Sequence, residues 1–366
     1  MYPNADPIPL PAPVWLMKVL SLLTLALHFT ALMLLVGGLF MVLLLAAGKT
    51  EAAKKAALAV AKKLPTTMTY VINLGVPPLL FAQVLYGRAL YTSSVLMAAI
   101  WIAVIPLVMG CYWHLYRTAD RLANGKSPII TTLVALVLAM CVGQIYSLNM
   151  TLMLRPEVWQ GMYAKTATGL QVAPHDPTMF PRFAFMMLGG LAFGGVGALV
   201  VALQRGLDDD TRALLRQKGG LVASAALVPQ VLAGFWVYSR QPEGVQQALH
   251  SPLYLTGAGL FLLGGVLALL LAALHIGGKK PLLLTIGAAV GGFLANVGAV
   301  IYRDGIRDQT LRLKGFDVWD RAVVPNWGVI GIFLVLFVIG LGLVGWLVLV
   351  AAQAKTIETK EAEVVA

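Results

Sequence analysis

The chain has 366 residues, of which 59% are hydrophobic and only 12% charged, with a mean hydropathy of +0.83. Such a composition cannot clothe a water-soluble surface, so soluble enzymes are excluded and an all-α polytopic membrane protein is expected. Apolar residues run unbroken for about twenty positions or more instead of alternating with polar ones, which excludes a bacterial-type outer-membrane barrel. The net charge of +11 comes from 27 Lys and Arg against 16 acids. These basic residues flank the apolar runs, as topology-setting charges do, so the expected partner is a lipid bilayer and not nucleic acid.

Cys111 and Cys141 both lie inside apolar stretches, which supports neither a disulfide framework nor a cysteine metal cluster. No CxxCH occurs, so covalent c-type haem is excluded and any haem would be held non-covalently. The N-terminal stretch MYPNADPIPLPAP has no basic region, and the apolar run after it is too long for a signal-peptide core, so the first helix is expected to be retained.

In chain order, nine apolar segments are expected to cross the bilayer: roughly 14–47, 66–91, 95–116, 128–154, 181–204, 218–239, 251–275, 281–302 and 324–352. The connectors after the first, third, fifth and seventh, together with the tail, hold 16 of the 27 basic residues, among them Lys49, Lys54, Lys55, Lys62, Lys63, Arg212, Arg216, Lys279 and Lys280. That side nets +8 against +3 for the other. It is therefore expected to be cytoplasmic, with the N-terminus outside and the C-terminus inside a bacterial inner membrane. Residues 1–353 read as a single transmembrane domain and 354–366 as a polar cytoplasmic tail. KTEAAKKAALAVAKK reads as a short basic amphipathic helix lying on the inner leaflet.

Polar groups within these segments are costly unless paired or solvated, so they are the candidate site residues. His28 lies near the middle of the first segment. It is either hydrogen-bonded to a neighbouring helix or an axial ligand to a b-type haem. His114 and His275 lie at inner helix ends and would meet only if the third and seventh segments touch; His175 and His250 fall in outer loops. Pro77 and Pro78 are expected to kink the second segment and make room beside Gln83.

Gln83 and Arg88, Gln144, Ser147 and Asn149, Tyr238 and Arg240, and Asn296 and Arg303 fall at one depth on four helices, with Gln230 deeper. They suggest a polar cavity opening outward, suited to quinone carbonyls or haem propionates; the competing reading is interhelical amide glue. Glycines 189, 190, 194, 195 and 197 allow a neighbouring backbone, or a flat macrocycle, to approach the fifth segment. In 303–321, Arg303, Arg307 and Arg312 have roughly helical spacing, with Asp304 and Asp308 one step round. A solvated face is the ordinary reading, and a docking patch around Arg307 and Arg312 for an outer-face subunit the alternative.

Nine segments, an outside N-terminus and the first-segment histidine in LTLALHFT together resemble subunit I of cytochrome bd-type quinol oxidases. That resemblance implies a haem ligand at His28 and a second family ligand near the start of the fifth segment. There PRFAFMMLGG places Phe185, so that ligand is missing and an oxygen-reducing site is not implied. No counterpart is found for the family's intramembrane acids or for its long outer quinol-binding loop. NLGVPPLLFAQVLYG, GFWVYSRQPEG and IYRDGIRDQTLR also resemble bd-like membrane subunits that accompany multihaem c-type cytochromes. The expectation is a membrane subunit of a respiratory electron-transfer complex that meets quinol near the outer leaflet and exchanges electrons with outer-face c-type cytochromes. It would do so with a b-type haem at His28 or, alternatively, serve as a cofactor-free anchor; a transporter is disfavoured, since no internal repeat is found.

Overall fold

The computed structural model describes residues 8–166, 168–277 and 282–353. Lys279, Lys280 and the tail 354–366, which carry part of the orientation argument, lie outside the described residues.

Thirteen α-helices follow one another: α1 (Val14–Ala46), α2 (Glu51–Ala61), α3 (Leu64–Leu96), α4 (Ala98–Ile102), α5 (Val104–Ala123), α6 (Ile129–Leu152), α7 (Pro156–Lys165), α8 (Met179–Val201), α9 (Asp209–Ser239), α10 (Glu243–Ala248), α11 (Pro252–Ala273), α12 (Leu282–Leu313) and α13 (Trp327–Gln353). Among the described residues, nine spans are long and apolar enough to cross a bilayer. They match the nine apolar segments, with α4 and α5 together forming the third.

The helix α1 is central and packs on α3, α8, α12, α6 and α2. Without a hydrophobic force between helices in lipid, close approach depends on small residues. Gly37 of α1 meets Gly190 and Gly194 of α8 backbone to backbone. At the α11–α12 crossing, a Cβ on Gly264 would lie 2.6 Å from the Ala295 nitrogen and the Gly291 carbonyl oxygen. The glycine-rich face of the fifth span is thus filled by neighbouring helices α1 and α9.

Several local expectations are revised. The second span keeps helical dihedrals through Pro77 and Pro78 and departs from them at Tyr86, with φ −128° and ψ 27°. The eighth span does not stop near residue 302 but continues as helix to Leu313. The basic amphipathic stretch is the helix α2, capped by the Thr50 side chain, which accepts from the Ala53 amide at 3.2 Å. It turns Ala53, Ala56, Ala57, Val60 and Ala61 onto the bundle and leaves Lys54 and Lys55 exposed.

Candidate functional site

At the N-terminal end of α1, three helices converge on a buried ionic cluster. Lys18 enters from α1, Tyr86 from α3, and Asp304, Arg307 and Asp308 from one face of α12 at i, i+3, i+4 spacing. All five are under a tenth exposed. The Lys18 ammonium lies 2.5 Å from Asp304 Oδ2 and 2.6 Å from Asp308 Oδ2, and donates to the Tyr86 hydroxyl at 2.9 Å. Tyr86 in turn donates to Asp308 Oδ1 at 2.6 Å. Arg307 pairs with Asp304 and lays its guanidinium over the Tyr86 ring at 4.2 Å. The two acids balance Lys18 and Arg307, which is what permits four ionised groups to be buried together.

This placement corrects the reading of 303–321 as a solvated stripe. The helical spacing is real, but the face that carries Asp304, Arg307 and Asp308 points inward, because α12 continues past residue 302 and packs there against α1. Arg307 is 7% exposed and so offers no docking surface. Arg312, one turn on, is exposed and lies 3.3 Å from Asp317 Oδ2. Lys18 and Tyr86 were not singled out from the sequence. A lysine four residues into an apolar helix has the signature of an end anchor, and only the fold brings it to acids 286 and 290 positions away.

His28 lies further along α1. Its Nδ1 is 3.0 Å from the Val71 carbonyl oxygen of α3, which assigns the proton to Nδ1 and leaves Nε2 as a lone-pair donor. The ring rests on Gly75, where a Cβ would fall 2.9 Å from Cε1. Next to it, the Arg303 guanidinium sits 5.6 Å from the centre of the Phe29 ring. Arg303 is half-buried, with no carboxylate within ion-pair distance among the described residues; it feels the positive charges of Arg307 and of Arg182 from α8 and, opposing them, the Asp304 carboxylate. Arg182 donates to the Thr151 hydroxyl at 3.1 Å. Balanced Lys18, Arg307, Asp304 and Asp308 therefore adjoin a cation without an acid of its own.

The other expected site residues are spread over several helices. Asn149 is fully buried and bonded to α3: it accepts from Ser93 at 3.2 Å and donates to Ser94 at 3.3 Å. Asn296 donates to the Ala26 carbonyl at 2.8 Å and to Thr30 at 2.9 Å, tying α12 to α1. For these two, interhelical glue is the arrangement found. Asn296 and Gln230 also line a cavity of about 20 Å³, room for one water, and the Asn296 carbonyl oxygen has no hydrogen-bond partner. Gln83, Arg88 and Gln144 are half-buried.

His114 belongs to α5 and His275 follows α11. α5 packs on α6, α2 and α3, whereas α11 packs on α12 and α9, and His275 lies 3.2 Å from the Thr285 hydroxyl. His250 contacts the Tyr238 hydroxyl at 3.1 Å. Phe185 is packed against Phe261 of α11, ring centres 5.5 Å apart. Among the described residues, no group of three His, Cys, Asp or Glu side chains is placed to share a metal ion.

No family model matches the chain, and no curated protein sequence does. The fold does have a counterpart: the structure of bd oxidase from Geobacillus thermodenitrificans aligns over 94% of this chain and 99% of that one, with a TM-score of 0.66 and 14% identity. The chain is a multi-pass, all-helical membrane protein with the fold of a cytochrome bd oxidase chain.

Proposed function

We propose that this protein is the membrane-embedded subunit of a respiratory electron-transfer complex, that it meets hydroquinone at the Arg303 end of the bundle, and that it holds a b-type haem through His28. The observation that carries the reading is the nearness of a guanidinium with no ion-pair partner, Arg303, to a histidine whose Nδ1 is oriented by a backbone carbonyl, which turns the Nε2 lone pair to the other side of the ring. A cation left without an acid inside a bilayer calls for an anion or a carbonyl, such as a propionate or a quinone oxygen. With a phenyl ring at Phe185, the position that the resemblance gives to a second ligand, the chain would offer haem a single protein ligand, His28 Nε2. Bound there, haem would supply a one-electron redox centre; the chain supplies the imidazole, the guanidinium and the exclusion of water.

The bd-like fold is consistent with a place in a membrane oxidoreductase complex; the quinone-linked role and c-type cytochromes on the outer face as electron partners belong to the proposal. Reduced-minus-oxidised spectra of the purified complex with pyridine haemochrome analysis test the reading. A b-type signal present in the native protein and lost in His28→Ala is the expected result, and absence of non-covalent haem from the native protein would sink the haem assignment. The second reading, a cofactor-free anchor, is favoured by the Phe185–Phe261 packing and by the amide bonds that Asn149 and Asn296 spend on helix contacts.

A further inference from the structure

The ionic cluster contains more than charge balance requires. Its members form an unbroken hydrogen-bonded chain, Asp304 to Lys18 to Asp308 to Tyr86, with every link between 2.5 and 2.9 Å. One end begins at Asp304, which follows Arg303 on α12 and acts on it electrostatically, and the other reaches Asp308, one helical turn from exposed Arg312. The chain of α3 leaves helical geometry at Tyr86, the residue whose hydroxyl closes the cluster.

We infer that the Asp304–Lys18–Asp308–Tyr86 chain is a proton relay, which takes the protons released when hydroquinone is oxidised beside Arg303 and passes them to water at the N-terminal end of α1. This deepens the reading of the Arg303 site and rests on it. Oxidation of one hydroquinone breaks two O–H bonds and yields quinone, two protons and two electrons. The electrons leave one at a time to a ferric haem of the complex. Each proton goes first to the Asp304 carboxylate; the Lys18 ammonium takes it up while giving a proton to the Tyr86 hydroxyl, which passes its own to Asp308, and Asp308 releases it outward before the next arrives. Lys18 can carry a proton in from Asp304 and give another to Tyr86, since it contacts both. The charged and titratable groups facing the relay are Arg303 and Arg307 on its own helix and Tyr254 from α11.

The test is steady-state oxidation of a short-chain ubiquinol or menaquinol by the purified complex, as a function of pH and in D₂O. Asp308→Asn keeps the size, but it gives up the charge and one of the two acceptor oxygens and cannot take up a proton. It should lower kcat by about tenfold or more with KM for the quinol unchanged and the haem spectrum intact. Tyr86→Phe, which changes no charge, should shift the pH profile and enlarge the solvent isotope effect. If Asp308→Asn does not assemble, Tyr86→Phe decides alone. Native rate, pH profile and isotope effect in every variant that assembles would overturn the relay while leaving the Arg303 reading in place. No quinol oxidation by the native complex would overturn both, and a rate lost only in Arg303→Leu would overturn the relay alone.

Discussion

Lys18 shows how a single side chain can hold three helices. Replacing it by Met leaves Asp304 and Asp308 buried with Arg307 as their one cluster cation, and removing one partner of a buried ion pair typically costs about 3–5 kcal/mol. Lys18→Met is therefore expected to lower the thermal midpoint of the detergent-solubilised protein by many degrees, and Lys18→Met with Asp308→Asn by less than the single change; a double variant no more stable than the single one would contradict the pairing. Outside the membrane, Asp208 caps α9 by accepting from the Thr211 amide at 2.9 Å and pairs with Lys55 at 3.1 Å. That amide bond, with help from Lys55, pulls its carboxyl down to about 2 from 3.8. A depressed folded-state value means the stabilisation is full above about 4 and disappears as pH falls through about 2. Asp208→Ala should be less stable than the native protein at pH 7, and the difference in thermal midpoint should vanish on acidification to that range.

At the scale of helices, the seat of His28 on Gly75 ties the α1–α3 contact to the imidazole. A side chain at Gly75 would meet the ring at 2.9 Å, so Gly75→Val is expected to lose most of any haem signal although His28 is intact; an unchanged spectrum would mean that the ring's position is immaterial. Much of the element level was legible: the nine spans, the basic amphipathic stretch after the first of them and the close-packing glycines of α8 all follow from period, composition and length. The break at Tyr86 was not, because two prolines are the stronger local signal, while the departure depends on contacts from α1 and α12. The inward turn of Asp304, Arg307 and Asp308 was missed for a related reason. Spacing identifies a face, but only packing tells which way it points, and charges close to a helix end ordinarily seek water.

For the whole molecule, fold class was readable from hydropathy alone, whereas the site depends on residues 286 and 290 positions apart in the chain. The charge split of 16 to 11 across the two faces still gives the expected orientation, and a reporter fused after Ala366 should be active only in the cytoplasm; periplasmic activity would reverse every assignment of inner and outer. Of the two arginines expected to dock the proposed outer-face cytochrome, only Arg312 is exposed. Arg312→Glu should weaken co-purification of such a subunit, more so at low salt where exposed charges are less screened, whereas Arg307→Glu should impair folding itself. Undiminished recovery of all partners with Arg312→Glu at low ionic strength would remove this segment from the interface.

The distance between Lys18 and its acids also has a consequence in time. Synthesis at about 5–20 residues per second separates the emergence of Lys18 from that of Asp308 by roughly 15 to 60 seconds. Throughout that interval the first helix must reside in the membrane with an ammonium that has no carboxylate, and a lysine at a helix centre costs about 2.5–3.5 kcal/mol, less near an end. Its position four residues into α1 lets the side chain reach the headgroups while it waits. Completion of α12 then draws the ammonium inward, so that the last stretches of the chain to be made set the final depth of the first. Ribosome-bound chains halted before Asp304 should hold α1 shifted toward the N-terminal side relative to the finished protein, a displacement that cysteine accessibility along α1 would measure.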